Sequence, residues 1–252
     1  MLGYRLDGTG DTKVLLLHNW FGDGSSYDWV VPHLNGQKAT YARIDWRGYG
    51  RSKALQGAYS VDEACQDAIE VADALGWREF YVVGHSMSGM IAQKIALEHR
   101  ARVRGVIAVA AVPACGAGKA PDLMQFLEEA ARSNDENAKA CLRLITGDRL
   151  SDEVLAKMID QWRSCSTEEA RLGYLHMFAG TDFSKQAAGL DTPMLVLYCE
   201  FDAAGKEAES SIRDTFLKWY PNAQMAYCSG SGHFPTQETP LFLASCINKW
   251  LS

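Results

Sequence analysis

Three residue types, far apart along the chain, could together make a hydroxyl group reactive: Ser86, a carboxylate and His233. A serine hydroxyl is a weak nucleophile near neutral pH and needs a neighbouring imidazole to take its proton. The imidazole in turn needs a carboxylate to fix its tautomer and stabilise its charged form. Ser86 lies in Tyr81-Val82-Val83-Gly84-His85-Ser86-Met87-Ser88-Gly89-Met90-Ile91-Ala92. There an apolar, β-branched run from Phe80 to Val83 gives way to Met87, Met90, Ile91, Ile95 and Leu97, mostly at helical spacing. The serine therefore sits at a strand-to-helix turn, and Gly84, Ser88 and Gly89 are small enough to let the chain bend and expose its hydroxyl. His233 stands in the loop Gly230-Ser231-Gly232-His233-Phe234. Asp202, Glu200 and Asp182 compete for the third role, with Glu200 placed on or close to a strand by its position.

The elements that must carry these residues alternate. Lys13 to His18 is a continuous apolar run typical of a strand covered on both faces, and it ends in the loop Asn19-Trp20-Phe21-Gly22-Asp23-Gly24-Ser25-Ser26. Ala39 to Ile44 reads as a strand. Ser60-Val61-Asp62-Glu63 is a capping box, followed by a helix with Val61, Cys65, Ala68, Ala72 and Leu75 on one face and Gly76 as its stop. Val103 to Val109 is another buried strand, Pro193 to Cys199 a further one before Glu200-Phe201-Asp202, and Ala223 to Cys228 a short last one. Helices are expected from about Glu207 to Trp219 and from Thr239-Pro240 onward. Such a rhythm implies a parallel sheet wound right-handedly, with its reactive edge at the strand carboxyl ends. Ser86, Asp202 and His233 all directly follow predicted strands, so they share that edge.

From Pro113 the rhythm breaks. Four amphipathic stretches follow, around Asp122 to Ala131, Glu136 to Ile145, Asp152 to Arg163 and Thr167 to Phe178. A helical block between two strands of an alternating chain reads as a lid, giving a core of residues 1–113 and 189–252 with an insertion at 114–188. Its apolar side chains, among them Phe126, Trp162 and Phe178, offer an apolar pocket, and His176 and Arg143 could anchor a polar or anionic substrate. His33, His99 and His176 read as surface or packing residues, the solvent-facing reading being preferred for His176 and Arg143 over the anchoring one, and His85 reads as a structural residue.

The 252 residues are 47% hydrophobic and 22% charged, which suits one large α/β domain with an insertion. A formal charge of −6 and the lack of a basic cluster argue against nucleic-acid binding. The opening residues show no charged-then-apolar leader and the apolar runs are too short for a membrane span, so the expected location is cytoplasmic. Seven scattered cysteines without paired spacing suggest neither a disulfide framework nor a metal site. Most read as small buried hydrophobes, though Cys115, Cys141 or Cys165 could line a pocket.

The stretch around Ser86 resembles the Gly-x-Ser-x-Gly nucleophile elbow of the α/β-hydrolases, with Ser88 in place of the second glycine and Gly89 beside it. Gly232-His233-Phe234-Pro235 and the order Ser86, Asp202, His233 are similar to the same family. So is Asp45-Trp46-Arg47-Gly48-Tyr49-Gly50-Arg51-Ser52, read here as a structural turn braced by Asp45 and Arg47. The resemblance spans essentially all of the chain outside the lid. It implies a mostly parallel twisted sheet flanked by helices, and Asp202 as the acid because it follows the penultimate strand. It also implies an oxyanion hole from the backbone N–H groups of Met87 and Trp20, although His18-Asn19-Trp20 stands where the family commonly has His-Gly-x. The implied activity is hydrolysis of a small-to-medium ester or lactone through an acyl-serine, without cofactor, by a monomer or homodimer. Carbon–carbon bond hydrolysis of a dienoic diketone, a ligand receptor and a cofactor-free oxygenase are the alternatives on the same scaffold.

Overall fold

The computed structural model describes residues 1–203 and 208–252. Its centre is a seven-stranded sheet ordered β1-β3-β2-β4-β5-β6-β7, formed by β1 (Tyr4–Asp7), β2 (Thr12–Leu17), β3 (Ala39–Ile44), β4 (Phe80–His85), β5 (Val103–Val109), β6 (Met194–Cys199) and β7 (Ala223–Cys228). Only β1 runs antiparallel, pairing along the outer edge of β3. The parallel strands β2, β4 and β5 are buried on both faces, which is why they read as unbroken apolar runs. One apolar cluster lies on each side of the sheet.

The chain leaves β2 toward β3 and then returns across β2 to β4. The strand order thus reverses between β2 and β4, where an open parallel sheet leaves a crevice at its carboxyl edge. The loop after β2 carries Trp20 and the turn after β4 carries Ser86, so the reversal sets the two side by side.

Helices α1 (Val61–Ala74) and α2 (Met87–Glu98) flank the sheet. Ser60 accepts from the Glu63 amide at 3.1 Å, but the Glu63 carboxylate reaches the amide of Tyr59 at 2.8 Å, one residue before the position a capping box predicts. Between β5 and β6 come α3 (Pro121–Arg132), α4 (Asp135–Ile145), α5 (Asp152–Cys165), α6 (Glu168–Gly180) and the short α7 (Ser184–Ala187). The carboxyl end of α3 binds two cations: Arg163 donates to the carbonyls of Ala130 (2.6 Å) and Ala131 (3.0 Å), and buried Arg171 donates to Ala131 at 2.6 Å. Cations complement the negative end of a helix dipole, so this joint locks α5 and α6 onto α3.

The chain after β6 forms α8 (Ala208–Asp214) and α9 (Phe216–Trp219), separated at Thr215, where a single helix was expected; its predicted first residue, Glu207, lies outside the described residues. A short α10 (Pro235–Glu238) precedes α11 (Pro240–Trp250). Among the described residues no helix is long and apolar enough to cross a membrane.

Candidate active site

The elbow begins with a conformational cost. Ser86 has φ 58° and ψ −120°, a region that side chains other than glycine's rarely occupy. The turn is held by the Ser86 N–H donating to Val109 O at 2.9 Å and the Ser86 carbonyl accepting from Val112 N at 3.0 Å. Gly84 is required because a Cβ there would lie 2.2 Å from the Ser88 carbonyl oxygen. Tight walls therefore stabilise the strained serine, and its hydroxyl points at the carboxyl edge of the sheet.

The Ser86 hydroxyl donates to His233 Nε2 at 2.8 Å, and His233 Nδ1–H donates to Asp202 Oδ2 at 2.8 Å. A carboxylate can only accept, so Nδ1 carries the imidazole proton and Nε2 is free to accept. Asp202 also takes the Ala203 amide at 2.7 Å. Burial alone would lower the pKa of His233, but the charge and hydrogen bond of Asp202, with the charge of Glu238, outweigh it and hold the value above 6.5. Burial works against the Asp202 carboxylate in turn, yet its partners keep its pKa below the ordinary carboxylate range.

The rival carboxylates are engaged elsewhere. Glu200 accepts from Ser229 Oγ (2.7 Å) and Gly230 N (2.9 Å), while Asp182 accepts from the amide and hydroxyl of Ser184 just after it in the chain (2.9 and 2.7 Å).

The two amides singled out from the sequence are each set by a local element. Met87 is the first residue of α2, so its N–H lies at the positive end of that helix. The Trp20 amide is oriented by its own peptide. His18 Nδ1–H donates to the Asn19 carbonyl at 2.7 Å, and in a trans peptide the N–H of the next residue points the opposite way. The tautomer is fixed because His18 Nε2 accepts from Trp46 N at 3.1 Å, and burial lowers the His18 pKa, keeping the ring neutral. Among the described residues neither amide has a protein acceptor.

Asn19, standing where the family commonly has glycine, does not adopt positive φ and instead uses its side chain. Its Oδ1 accepts from Phe21 N at 2.8 Å and its Nδ2 donates to His85 Nδ1 at 3.2 Å, while His85 Nε2–H donates to the His233 carbonyl at 2.7 Å. Burial pushes His85 down to about 3, so it stays neutral and can accept on one nitrogen while donating on the other. Asn19 and His85 thereby connect the loop after β2 to the loop of the imidazole, roles the sequence alone did not assign.

Ser88 is also engaged. Its hydroxyl donates to the His18 carbonyl and accepts from Trp46 Nε1 at 2.8 Å, all three residues being fully buried. Ser88→Ala leaves an indole N–H buried without a partner, so urea unfolding should show a loss of about 1–3 kcal/mol. An unchanged midpoint would mean that this bridge contributes nothing.

The expected Asp45–Arg47 brace is not formed. Buried Asp45 accepts from Gly24 N (2.7 Å) and Arg51 N (2.9 Å) and pairs with the Arg51 guanidinium (3.2 Å), whereas Arg47 pairs with Asp67 of α1 (2.6 Å). The turn folds the first carboxylate beneath itself and directs the arginine outward to the helix.

Of the side chains suggested for the pocket, Trp162 and Phe178 join Trp20 and Phe21 in one aromatic group, with ring centroids of Trp20 4.7 Å from Trp162 and 5.6 Å from Phe178. Phe126 is partly buried against the main cluster and makes no ring contact with that group among the described residues. His176 is displaced from it: two residues from Phe178 on a helix is about 200° around the axis. It is exposed and faces Glu128 at 3.2 Å. Arg143 is likewise committed on the surface, donating to Asp148 at 2.7 Å. Cys141 is buried, Cys115 and Cys165 are half-buried, and Cys165 donates to the Trp162 carbonyl at 3.5 Å. Away from this region Cys65, Glu98 and His99 bring ligand-type atoms within 4.8 Å of one another, but Lys94 already pairs with Glu98 at 2.7 Å.

A mostly parallel sheet with its strand order reversed beside a serine elbow defines the class of the α/β-hydrolases, and this chain is one of them. More narrowly, residues 9–239 match the hydrolase family described as "Serine aminopeptidase, S33", and the chain belongs to it. It is 27% identical over 252 residues to a pimeloyl-(acyl-carrier protein) methyl ester esterase of Yersinia enterocolitica, covering 95% of this chain and 93% of that one. Among solved structures it resembles an esterase from Exiguobacterium antarcticum (TM-score 0.85, 16% identity, 98% and 94% of the two chains). It also resembles an enol-lactonase from Burkholderia xenovorans (TM-score 0.83, 22% identity, 99% and 96%).

Proposed function

We propose that this chain hydrolyses small-to-medium carboxylic esters or lactones through an acyl-Ser86 intermediate. The observation that carries the reading is the continuous relay from Ser86 Oγ through His233 to Asp202, with 2.8 Å at each step, at the foot of an elbow whose geometry is otherwise costly. Membership in a hydrolase family supports it, as does the methyl ester named in the activity of the Yersinia relative.

In this reading Ser86 Oγ attacks the ester carbonyl as its proton passes to His233 Nε2, and Asp202 stabilises the imidazolium. The carbonyl oxygen becomes an oxyanion, received by the N–H groups of Met87 and Trp20. Collapse breaks the bond to the alcohol, which leaves with the proton from His233. Water then attacks the acyl group, giving its proton to His233, and the acid departs as His233 returns that proton to Ser86 Oγ. The helices α3–α7 act as a lid over this edge, with Phe178 supplying apolar surface to the substrate and the fully buried Trp162 packing against Trp20 and Phe21. His176 has no part in it.

The test is turnover of p-nitrophenyl acetate and butyrate, methyl esters, lactones and a dienoic diketone, together with labelling by a fluorophosphonate. Ester or lactone turnover with label on Ser86 is expected; turnover of the dienoate alone would replace the reading by carbon–carbon bond hydrolysis, and labelling without any turnover would favour a receptor. The pH profile follows from the relay. His233 must be neutral to accept the proton, so kcat/KM is lost as pH falls through its pKa, and because that pKa is raised the acid limb should lie above 6.5. A limb near the ordinary carboxylate range would assign the base to another group.

A further inference from the structure

We infer that Glu238 is a positioning residue for His233, clamping the backbone on both sides of the imidazole and coupling that loop, through Arg149, to the lid. This rests on the reading of Ser86, Asp202 and His233 as the reactive centre. Glu238, at the end of α10, turns back so that Oε2 accepts from Gly232 N at 2.8 Å and Oε1 from Phe234 N at 3.1 Å. The amide between them, that of His233, donates to the carbonyl of Ile145 at the end of α4 (2.8 Å), and the His233 carbonyl accepts from His85. The backbone is thus held at each residue from 232 to 234, which fixes where the ring stands between Ser86 and Asp202.

The lid enters through one guanidinium. Glu238 is nearly buried, and a buried carboxylate needs a compensating charge. Arg149, in the segment joining α4 to α5, supplies it at 2.6 Å and also donates to the Gly230 carbonyl at 2.8 Å. The same guanidinium lies 4.4 Å from the ring centre of Phe201, the residue before Asp202. One lid side chain therefore touches the stretches that carry both the acid and the base. Gly232 marks how close the lid comes, since a Cβ there would lie 2.7 Å from Thr146 Cα. A cap for α10 would account for the bond to Phe234 N, but not for those to Gly232 and Arg149.

The charged or titratable groups around His233 are Asp202 after β6, His85 at the end of β4, Glu238 on α10 and Arg149 beyond it. His85 is neutral, so Asp202 and Glu238 are the charges that favour the imidazolium. Glu238→Gln removes one of them and sets an NH2 group against a backbone N–H, since an amide offers only one acceptor atom.

The experiment measures kcat and KM for p-nitrophenyl butyrate across roughly pH 5–9 in the wild type, Glu238→Gln, Arg149→Met and Ser86→Ala, with thermal melts and the rate of fluorophosphonate labelling. Glu238→Gln should lower kcat about 10- to 100-fold with KM nearly unchanged, as expected of a misplaced catalytic group, and should move the acid limb to lower pH. Arg149→Met should lower kcat without that downward move. Glu238→Gln with wild-type kcat and limb overturns the clamp, as does a loss equal to the unfolded fraction with the limb unmoved. Ser86→Ala separates the failures: if it keeps turnover, the reactive-centre reading falls and this inference with it. If it is inert while Glu238→Gln is unaltered, the clamp alone falls.

Discussion

Ser86→Ala should lower kcat/KM for any ester substrate by about 10⁴- to 10⁶-fold, equivalent to roughly 5–8 kcal/mol of transition-state stabilisation, and should abolish fluorophosphonate labelling. The residue that remains has no nucleophile, and His233 Nε2 then has no hydroxyl to deprotonate. The binding surfaces and the amides of Met87 and Trp20 stay in place, so residual turnover above that of water is expected. The fold should persist, because Ser86 N–H and C=O keep their bonds to Val109 and Val112. A companion variant tests the strain. At φ 58° alanine is as unfavourable as serine, whereas glycine occupies this region without a Cβ penalty. Ser86→Gly should therefore be inactive yet unfold at higher urea than Ser86→Ala, by about 1 kcal/mol or more. Equal midpoints would show that the elbow stores no strain, and a Ser86→Ala enzyme within tenfold of wild type would remove the serine from the chemistry.

The parts of the molecule that were legible in the sequence are those whose signal is local. The apolar runs of β2, β4, β5 and β6 announce strands covered on both faces, and the four amphipathic stretches between Asp122 and Phe178 correspond closely to α3–α6. The four-residue edge strand β1 was not legible, since half of it is exposed and it gains its place only by pairing with β3. Side-chain partnerships across the fold were the least accessible. Asp45 and Arg47 are adjacent enough to suggest a pair, yet each finds a better-placed partner once the turn folds. Asn19 with His85 and Arg149 with Glu238 lie 66 and 89 residues apart, and no periodicity connects them. Only the type of residue gave a hint: a histidine and an asparagine ending an apolar strand are expensive to bury unless both are bonded. The same holds for Ser88, where smallness alone suggested indifference and the fold instead uses the hydroxyl.

Asp202→Asn carries the second largest expected effect, a fall in kcat of about 10⁴-fold, the scale seen when a catalytic aspartate of this kind becomes an amide. The cause is the tautomer. Asp202 holds the His233 proton on Nδ1, and an asparagine that donates its NH2 to Nδ1 would move that proton to Nε2. The nitrogen facing Ser86 would then be a donor and could not act as a base. The charge is lost as well, and since Asp202 is the larger of the two influences raising the His233 pKa, the acid limb of the remaining activity should move to lower pH. Glu200 cannot take over while its carboxylate is bound to Ser229 and Gly230. Folding should survive, because an asparagine carbonyl can still accept from Ala203 N, the bond that Asp202 now makes at 2.7 Å. Turnover within tenfold of wild type would mean that another carboxylate orients the imidazole. A loss of turnover with the acid limb unmoved would mean that Asp202 supports the loop without acting on His233.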